Sequence, residues 1–216
     1  DTVFSFLPMA HAAERVLGFF GRISGGVTTA YATSVATVLE ELKEVRPTLF
    51  GSVPRIYEKA YAKIHSEVEK KPPLVQKLFA LAARVAREAA PYHLKDEPKP
   101  WQLALRWALA DKLVLSKVRA AFGGRVRWSV TGAAPIAVDI LEFFWGAGIP
   151  IYEAYGMTEA TVVTHTNRPG VVKLGTVGKV IDCLEQRIAG DGEILIRGPF
   201  VFKGYFKDDE ATAATI

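Results

Sequence analysis

Apolar and polar positions along the chain follow two periods, which predict that strands alternate with helices. Short apolar runs at residues 3–7 and 48–53 predict buried strands, and a proline follows each run. Residues 125–130 alternate between apolar and polar side chains, as in a strand with one wetter face. A fourth strand, Ile151–Tyr155, is predicted after the turn residues Gly148-Ile149-Pro150.

Helical spacing fills the intervals between these strands. Residues 12–20 are mostly small or apolar, and residues 37–45 combine an apolar stripe with Thr37 and Glu40, the pattern of a capping box. Another helix follows residue 135, and its predicted buried stripe is Ile136, Ile140, Phe143 and Phe144. We therefore predict an α/β fold, a parallel sheet with helices on its faces.

A helical extension of the sheet domain is predicted at about residues 55–122. Apolar side chains recur there at helical spacing, with interruptions at Pro72-Pro73, Pro91 and Pro98-Lys99-Pro100, up to Gly123-Gly124. The opposite faces carry Lys63, Lys70, Lys71, Lys77, Arg84 and Arg87. A plain solvated surface has this composition, and a membrane-docking face is the alternative.

Near the C-terminus the hydrophobic period changes to two residues. Leu184–Ile188 and Glu193–Arg197 both alternate, and Gly190-Asp191-Gly192 between them predicts the turn of a β-hairpin. The predicted organisation is an α/β subdomain over residues 1–174 and a small β-rich subdomain over residues 175–216.

Composition indicates the class of protein and its compartment, but it does not indicate the chemistry. The chain has 216 residues, half of them apolar, and a mild net charge of +4. Cys183 is the only cysteine, which suits a reducing compartment. No apolar run reaches the length of a membrane span, and no signal-peptide pattern opens the chain. Because the chain lacks an initiator Met and stops without a helix-ending signal, we expect a piece of a longer protein.

The stretch most informative about function is Tyr155-Gly156-Met157-Thr158-Glu159, directly after the fourth predicted strand. Open α/β sheets bind ligands at the carboxyl ends of their strands. At such a place Thr158 can donate to a phosphate oxygen, and Glu159 can hold Mg²⁺ together with phosphates. Tyr155 offers a flat apolar face for a base. The alternative is a polar loop after a buried strand.

Further segments occur in the order found in one enzyme superfamily. They are Leu7-Pro8-Met9-Ala10-His11, Val130-Thr131-Gly132-Ala133-Ala134-Pro135, Gly192–Pro199 and Gly204-Tyr205-Phe206. With residues 155–159 they resemble the motifs of the adenylate-forming (AMP-binding) enzymes, which include acyl-CoA synthetases, luciferases and peptide-synthetase adenylation domains. Residues 109–124 are similar to the long-chain fatty acyl-CoA synthetase branch, and the resemblance covers nearly the whole chain.

The resemblance implies a two-step ligation. A fatty acid and ATP form an acyl-adenylate in the presence of Mg²⁺, and the thiol of coenzyme A (CoA) then displaces AMP. Thr158 would bond the α-phosphate, and Glu159 would hold the metal. His11 would lie near the carboxylate substrate, although a histidine at a helix start is also satisfied by nearby backbone. The implied nucleotide-lining residues are Gly132, Ala133, Ala134, Glu153, Ala154, Tyr155, Gly156 and Thr158.

The resemblance also implies partners, a location and missing parts. The partners are fatty acid, ATP and CoA, with no nucleic acid, and the location is cytoplasmic with peripheral contact at the inner face of the membrane. The family's Ser/Thr/Gly-rich phosphate loop, Thr-Gly-Asp ribose motif and C-terminal lysine do not occur in the 216 residues, so we expect the piece to be inactive alone. Val180-Ile181-Asp182-Cys183 replaces a Pro-x-Pro-Gly-like turn.

Two alternatives to a long-chain fatty acid ligase follow from the same residues. One is an adenylating enzyme that uses an aryl, amino or short-chain acid. The other is a non-catalytic binding module that reuses the fold.

Overall fold

The computed structural model describes residues 1–216 and contains a seven-stranded sheet and a separate two-stranded sheet. The large sheet consists of β1 (Thr2–Ser5), β2 (Thr28–Tyr31), β3 (Leu49–Ser52), β4 (Trp128–Thr131), β5 (Ile151–Tyr155), β6 (His165–Thr166) and β7 (Lys179–Val180). Its order is β2-β1-β3-β4-β5-β6-β7. The first five strands are parallel, β6 is antiparallel to β5, and β7 is antiparallel to β6. The predicted hairpin is confirmed as β8 (Glu185–Ile188) and β9 (Ile194–Arg197).

All helices but the last connect the parallel strands, and the last follows the β8–β9 hairpin. They are α1 (Gly21–Gly25), α2 (Val38–Val45), α3 (Pro54–Glu69), α4 (Pro73–Lys95), α5 (Trp101–Ala110), α6 (Ser116–Ala121), α7 (Val138–Gly146) and α8 (Asp209–Thr215). Two π-helical segments, Glu14–Phe20 and Asp111–Leu115, precede α1 and α6, and Thr158–Ala160 is a 3₁₀ turn. The elements α3 to α6 are the predicted helical extension, and the mixed α/β architecture is confirmed. No helix combines the length and apolarity that a transmembrane span requires.

The strand order determines which face of the sheet each helix covers. The step from β1 to β2 runs in one direction across the sheet, and the steps from β2 to β3, β4 and β5 run in the other. Since such crossovers are right-handed, α1 covers one face, and α2, the helical extension and α7 cover the opposite face. The core lies at this second face, where 28 buried residues form one cluster.

Tyr57, on α3, occupies the centre of this core. Its side chain is fully buried, and its ring packs on Phe122 at 6.2 Å between centroids and edge-on against Phe50 at 5.9 Å. Its hydroxyl lies 3.1 Å from the carbonyl oxygen of Val130, to which it donates. Burial raises the pKa of the Tyr57 hydroxyl, which therefore stays protonated. This contact connects the helical extension to β4.

Side chains of the helical extension also satisfy the C-terminal carbonyls of α7. His93 Nδ1 donates to the carbonyl of Trp145 at 2.8 Å, and Trp107 Nε1 donates to that of Gly146 at 2.8 Å. Arg119 donates to the carbonyl of Ala147 at 2.9 Å and pairs with Asp111. The last carbonyls of a helix lack partners within the helix, and a cation there is also stabilised by the negative end of the helix dipole. The extension is therefore integral to the sheet domain.

The long helix α4 has two apolar faces, and only one is buried. The buried face holds small residues, Ala82, Ala83, Ala86, Ala89 and Ala90, with Phe79 and Val85. A Cβ added to Gly146 of α7 would lie 2.0 Å from the carbonyl oxygen of Ala86, which shows how closely the two backbones approach. Leu74, Leu78 and Leu81, on the other face of α4, are exposed.

The four strands predicted before residue 156 are confirmed as β1, β3, β4 and β5, and three others of the large sheet were not predicted. Strand β2 has no apolar run, because it lies at the sheet edge and is partly exposed. Strands β6 and β7 have two residues each, too few for a periodic pattern. Since β7 belongs to the large sheet, the separate β structure begins at β8. The subdomain boundary at residue 175 stays a prediction.

Two predictions about helix ends were wrong. Thr37 precedes α2 but makes no capping bond; its hydroxyl donates to the carbonyl of Ser34, and Glu41 rather than Glu40 accepts from a preceding amide, that of Thr33. Helix α4 does not end at Pro91 but continues to Lys95. Proline there removes a single intrahelical bond, and the bond from His93 to α7 holds the last turn.

Candidate functional site

The two segments predicted to form one site lie side by side. Strands β4 and β5 pair in parallel, with Thr131 opposite Glu153, so the turns that follow them leave the same edge of the sheet. A Cβ added to Gly132 would lie 3.1 Å from the carbonyl oxygen of Ala154. Residues 132–134 and 153–159 therefore meet at the carboxyl ends of neighbouring strands, where ligands of open α/β sheets bind.

The turn after β4 is conformationally unusual. Ala133 has a φ of 71°, in the left-handed region that residues with a Cβ rarely adopt. Just before it, the buried hydroxyl of Thr131 has no hydrogen-bond partner, and the same holds for Ser52, its pairing neighbour on β3. Strain and unsatisfied polar groups concentrate at functional sites. Both features therefore mark the carboxyl edge of β3 and β4.

The turn after β5 folds back on itself at Gly156. A Cβ at this position would lie 1.7 Å from the carbonyl oxygen of Val162, so only glycine fits. Thr161 and Val162 have φ values of 54° and 81°, which are strained for β-branched residues. The amide of Val162 donates to the carbonyl of Met157 at 2.9 Å and closes the loop. The 3₁₀ turn with Thr158 and Glu159 is thereby held at the end of β5.

Glu159 is anchored by the segment that follows the β8–β9 hairpin. The hydroxyl of Tyr205 donates to Glu159 Oε1 at 2.7 Å, and the amide of Phe202 donates to the Glu159 carbonyl at 2.7 Å. The hydroxyl of Thr161 donates to the carbonyl of Phe200 at 2.7 Å. The hydrogen bond from Tyr205 lowers the pKa of the Glu159 carboxyl and raises the pKa of the Tyr205 hydroxyl. Glu159 is therefore ionised and oriented.

The residues present fit a Mg²⁺ ion shared with a nucleotide phosphate. Glu159 is partly exposed, and its Oε2 receives no hydrogen bond from another residue. The Thr158 hydroxyl is also exposed and makes no hydrogen bond within the protein. Mg²⁺ bound with phosphates takes one or two carboxylates from the protein, so a single carboxylate beside a free hydroxyl suffices.

Glu153 was predicted to line the nucleotide, and its carboxylate bonds elsewhere. The side chain is 7 % exposed. It accepts from the amide of Gly175 at 2.9 Å and lies 3.5 Å from Asn167 Nδ2. Burial raises the pKa of the Glu153 carboxyl, and the amides of Gly175 and Thr176 oppose that rise. The carboxylate thus ties down the loop between β6 and β7, and the Glu153 carbonyl accepts from the amide of Asn167 at 2.9 Å.

Tyr155 stands at the end of β5, beside His165 of β6, at 5.7 Å between ring centroids. His165 is buried, and its Nε2 and the Oε1 of Gln186 in β8 lie 2.7 Å apart. Because the amide oxygen of Gln186 can only accept, Nε2 of His165 carries the proton. The tyrosine ring is therefore supported by a histidine that also connects the sheet to the hairpin.

The structure brings His11 to the same edge of the sheet without joining it to the other predicted residues. His11 follows β1, which is separated from β4 by β3. It is exposed, and its Nδ1 accepts from the amide of Ala13 at 3.2 Å. This bond matches the alternative that a histidine at a helix start bonds to nearby backbone. A role of His11 near the carboxylate substrate stays a prediction.

The roles of three residues at the site were not predicted from the sequence. Tyr205 was noted only as part of the Gly204-Tyr205-Phe206 motif, and its distance in sequence from Glu159 hid their hydrogen bond. Asn167 donates to the carbonyl of Thr176 at 2.6 Å and supports Glu153, but nothing in its sequence surroundings indicates that role. The left-handed conformation of Ala133 likewise has no sequence signature, because glycine is the residue expected there.

Comparison with known proteins gives matches along the whole chain. The family model of the AMP-binding enzymes matches residues 1–206. A Mycobacterium tuberculosis protein named fatty-acid–CoA ligase fadD11 is 43 % identical over 218 residues, covering 100 % of this chain and 38 % of that protein. Rat long-chain-fatty-acid–CoA ligase 5 is 35 % identical over 224 residues, covering 98 % of this chain and 31 % of that protein. The chain thus spans about a third of the length of these relatives.

Solved structures share the fold at low sequence identity. The adenylation domain of a carboxylate reductase from Mycobacterium chelonae superposes with a TM-score of 0.65 at 24 % identity, covering 98 % of this chain and 30 % of that one. O-succinylbenzoate CoA synthetase from Bacillus subtilis, solved in complex with ATP and magnesium ion, gives a TM-score of 0.62 at 21 % identity, covering 100 % of this chain and 36 % of that one.

Proposed function

The chain belongs to the family of AMP-binding enzymes, and on that premise we propose that it is part of an ATP-dependent ligase that joins long-chain fatty acids to CoA. The observation that carries the proposal is the close approach of Gly132 to the Ala154 carbonyl, which brings the two turns together at one edge of the sheet. The choice of a long-chain acid is supported by the curated relatives, which are fatty-acid–CoA ligases.

The proposed reaction has two steps. A carboxylate oxygen of the acid attacks the α-phosphorus of ATP, the bond to the bridging oxygen breaks, and pyrophosphate leaves. The sulfur of CoA then attacks the acyl carbon, and AMP leaves with its electron pair. Such transfers leave little covalent chemistry to protein side chains, so the residues act by positioning and by stabilising charge.

We assign the roles from the geometry of the two turns. The small residues Gly132, Ala133 and Ala134 let a flat base approach the backbone on one side, and Tyr155 offers its ring on the other. The backbone of Glu153, Ala154 and Gly156 borders the same space. The Thr158 hydroxyl donates to the α-phosphate, and Glu159 holds the Mg²⁺, which neutralises phosphate charge when bound. His11 is proposed to lie on the path of the carboxylate substrate.

We also propose that the isolated chain is inactive and that the protein is cytoplasmic. The 216 residues contain no Ser/Thr/Gly-rich phosphate loop with a lysine, so the isolated chain is expected to form no acyl-CoA. Detection of palmitoyl-CoA with the purified 216-residue chain would contradict this. A cytoplasmic location is supported by Cys183, the single cysteine, which is exposed and unpaired.

Activity of the full-length natural protein tests the proposal. AMP release from ATP, in the presence of CoA, is measured with oleate, a short-chain acid, an aryl acid and an amino acid. Preference for oleate is expected, and preference for the aryl or amino acid would assign a different adenylating enzyme. Thr158→Ala and Glu159→Gln should each lower kcat by about 10²-fold, as the loss of a group that stabilises transition-state charge does. Glu193→Gln, an exposed change on the hairpin, is the matched control. A protein that binds ATP without releasing AMP from any acid would be a non-catalytic module.

A further inference from the structure

The β8–β9 hairpin and the segment after it bond to the sheet domain at one place. All hydrogen bonds that residues 185–216 make with residues 1–180 end on residues 159–165. Most of them come from the segment after the hairpin and hold the turn after β5. The one made by the hairpin itself joins Gln186 of β8 to His165 of β6. The hairpin is therefore hydrogen-bonded to the sheet through a single buried histidine.

His165 lies directly opposite Tyr155, the residue proposed to stack on the base. The two are paired across the antiparallel strands β5 and β6, and their ring planes are inclined at 57°. Side chains opposite each other on paired strands restrict each other's orientation. The Tyr155 ring is partly exposed, and its hydroxyl makes no hydrogen bond within the protein. The contact with His165 is therefore the aromatic contact that orients the tyrosine ring.

The ring of His165 is held at both nitrogens. Its Nε2 donates to Oε1 of Gln186 at 2.7 Å, and its Nδ1 lies 2.9 Å from the hydroxyl of Thr164, from which it accepts. Thr164 also donates its amide to the carbonyl of Tyr155 at 2.9 Å. The histidine and the end of β5 are thus parts of one hydrogen-bonded unit.

Gln186 is the member of this unit that comes from the hairpin, 21 positions after His165. Without its oxygen, the buried Nε2–H would have no acceptor, which is costly for a buried donor. The imidazole would then turn or move its proton to Nδ1, and either change would alter the contact with Thr164. Because the Tyr155 ring packs on this imidazole, a change at Gln186 would reach the tyrosine.

We propose that Gln186 and His165 are positioning residues for the base of a bound adenine nucleotide. Gln186 fixes the ring of His165, and His165 holds the Tyr155 ring in the orientation in which a base stacks on it. Both act through Tyr155 rather than by contact with the nucleotide. The inference rests on the proposed function, because it takes Tyr155 as the residue that stacks on the base.

Calorimetric titration of ATP with Mg²⁺ into the full-length natural protein tests the inference. Gln186→Met removes the acceptor and keeps the length of the side chain, whereas Gln186→Glu keeps an acceptor for Nε2–H. The Kd for ATP should rise about three- to tenfold in Gln186→Met and by less than about twofold in Gln186→Glu. In the ligase reaction the KM for ATP should rise with the Kd, and kcat should change by less than about twofold. The matched control is Arg187→Met, at the next position of β8, whose exposed side chain makes no hydrogen bond or ion pair.

A double-mutant cycle with Tyr155→Leu separates positioning from a merely structural role. In the Tyr155→Leu background, Gln186→Met should leave the Kd for ATP unchanged, because the effect passes through the tyrosine. An equal rise in Kd in both backgrounds would overturn the inference. So would an equal rise in Gln186→Glu and Gln186→Met, or a lower melting temperature of Gln186→Met with an unchanged Kd.

Failure of this inference is distinguishable from failure of the proposed function. If the wild type binds ATP and releases AMP, but Gln186→Met binds ATP equally tightly, only the positioning role is wrong. A wild-type protein that binds no ATP would overturn both.

Discussion

Tyr205 donates its hydroxyl proton to Glu159 Oε1 at 2.7 Å, across 46 positions of sequence. This bond connects the 3₁₀ turn after β5 to the segment after the β8–β9 hairpin. It fixes one carboxylate oxygen of the proposed metal ligand and leaves the other available. Glu159 is therefore oriented by a residue that belongs to a different part of the chain.

Tyr205→Phe should weaken the use of Mg²⁺ while leaving the fold intact. A hydrogen bond to a charged group contributes about 1.5–3 kcal/mol when protected and less when exposed, so the Mg²⁺ concentration for half-maximal ATP binding should rise about three- to tenfold. The measurement is calorimetric titration of ATP into the full-length protein over a range of Mg²⁺. Tyr31→Phe, which removes an exposed hydroxyl partnered only by Arg22 at 2.7 Å, is the control. An unchanged Mg²⁺ requirement would show that Tyr205 does not position Glu159.

Gly156→Ala should destabilise the protein strongly. The new Cβ would lie 1.7 Å from the carbonyl oxygen of Val162, and relief requires movement of backbone in a loop that is already strained. A loss of about 2–3 kcal/mol in the free energy of unfolding is expected from such overpacking. Gly190→Ala, where no atom lies within 4 Å of the added Cβ, should change it by less than about 0.5 kcal/mol. Urea unfolding compares the two variants, and equal stabilities would contradict the packing described here.

Much of the fold follows from local patterns, and the failures have physical causes. The parallel strands β1, β3, β4 and β5 are buried, so their apolar runs are unambiguous. Strand β2 lies at the edge of the sheet and is partly exposed, so its side chains do not need to be apolar. In the extension the helices were predicted, but Leu105 and Leu109 face outward while Leu103 faces the core. Periodicity identifies an apolar face without stating whether anything covers it.

At the candidate site, too, some features could be predicted from local patterns and others could not. The proximity of residues 132–134 and 153–159 could be predicted, because parallel strands bring successive carboxyl ends to one edge. The orientation of side chains could not. Glu153 lies two residues before Tyr155, yet its carboxylate bonds to the amide of Gly175. That contact depends on the path of a loop between two-residue strands, which no local pattern encodes.

Protein stability should depend on pH through His93. Its Nδ1 donates to the carbonyl of Trp145, and its Nε2 accepts from Lys99 at 2.8 Å. Burial, and then the charges of Lys99 and Arg119, lower its pKa below the ordinary 6.5. The folded state thus favours the neutral ring, and its contribution is complete above pH 6.5. It is lost as the pH falls from 6.5 toward the folded-state pKa, since the unfolded state then binds more protons.

The comparison that isolates this effect is the melting temperature of the wild type and of His93→Gln between about pH 5 and pH 8. The advantage of the wild type should be largest at neutral pH and should shrink as the solution is acidified. A constant difference across the range would show that protonation of His93 is not linked to folding.

Glu153→Ala should act on stability rather than on chemistry. The change leaves the Gly175 amide without its acceptor, and a buried unsatisfied group costs about 1–3 kcal/mol. The free energy of unfolding, from urea titration, should fall by that amount, and the dissociation constant of ATP should change less than about threefold under conditions where the variant is folded. Glu193→Ala is the exposed control. Loss of ATP binding at unchanged stability would place the Glu153 carboxylate in the nucleotide site instead.

On α4, the size of a side chain does not indicate how well its replacement is tolerated. In most helices a leucine is the residue that resists replacement, and an alanine is the one that accepts almost anything. Here the approach of the Ala86 carbonyl to Gly146 of α7 leaves no room for a methyl group on that glycine, so the contact between α4 and α7 depends on a residue without a side chain. Variation at Leu74 or Leu78 can therefore accumulate without unfolding the protein, whereas a single added carbon at Gly146 separates two helices.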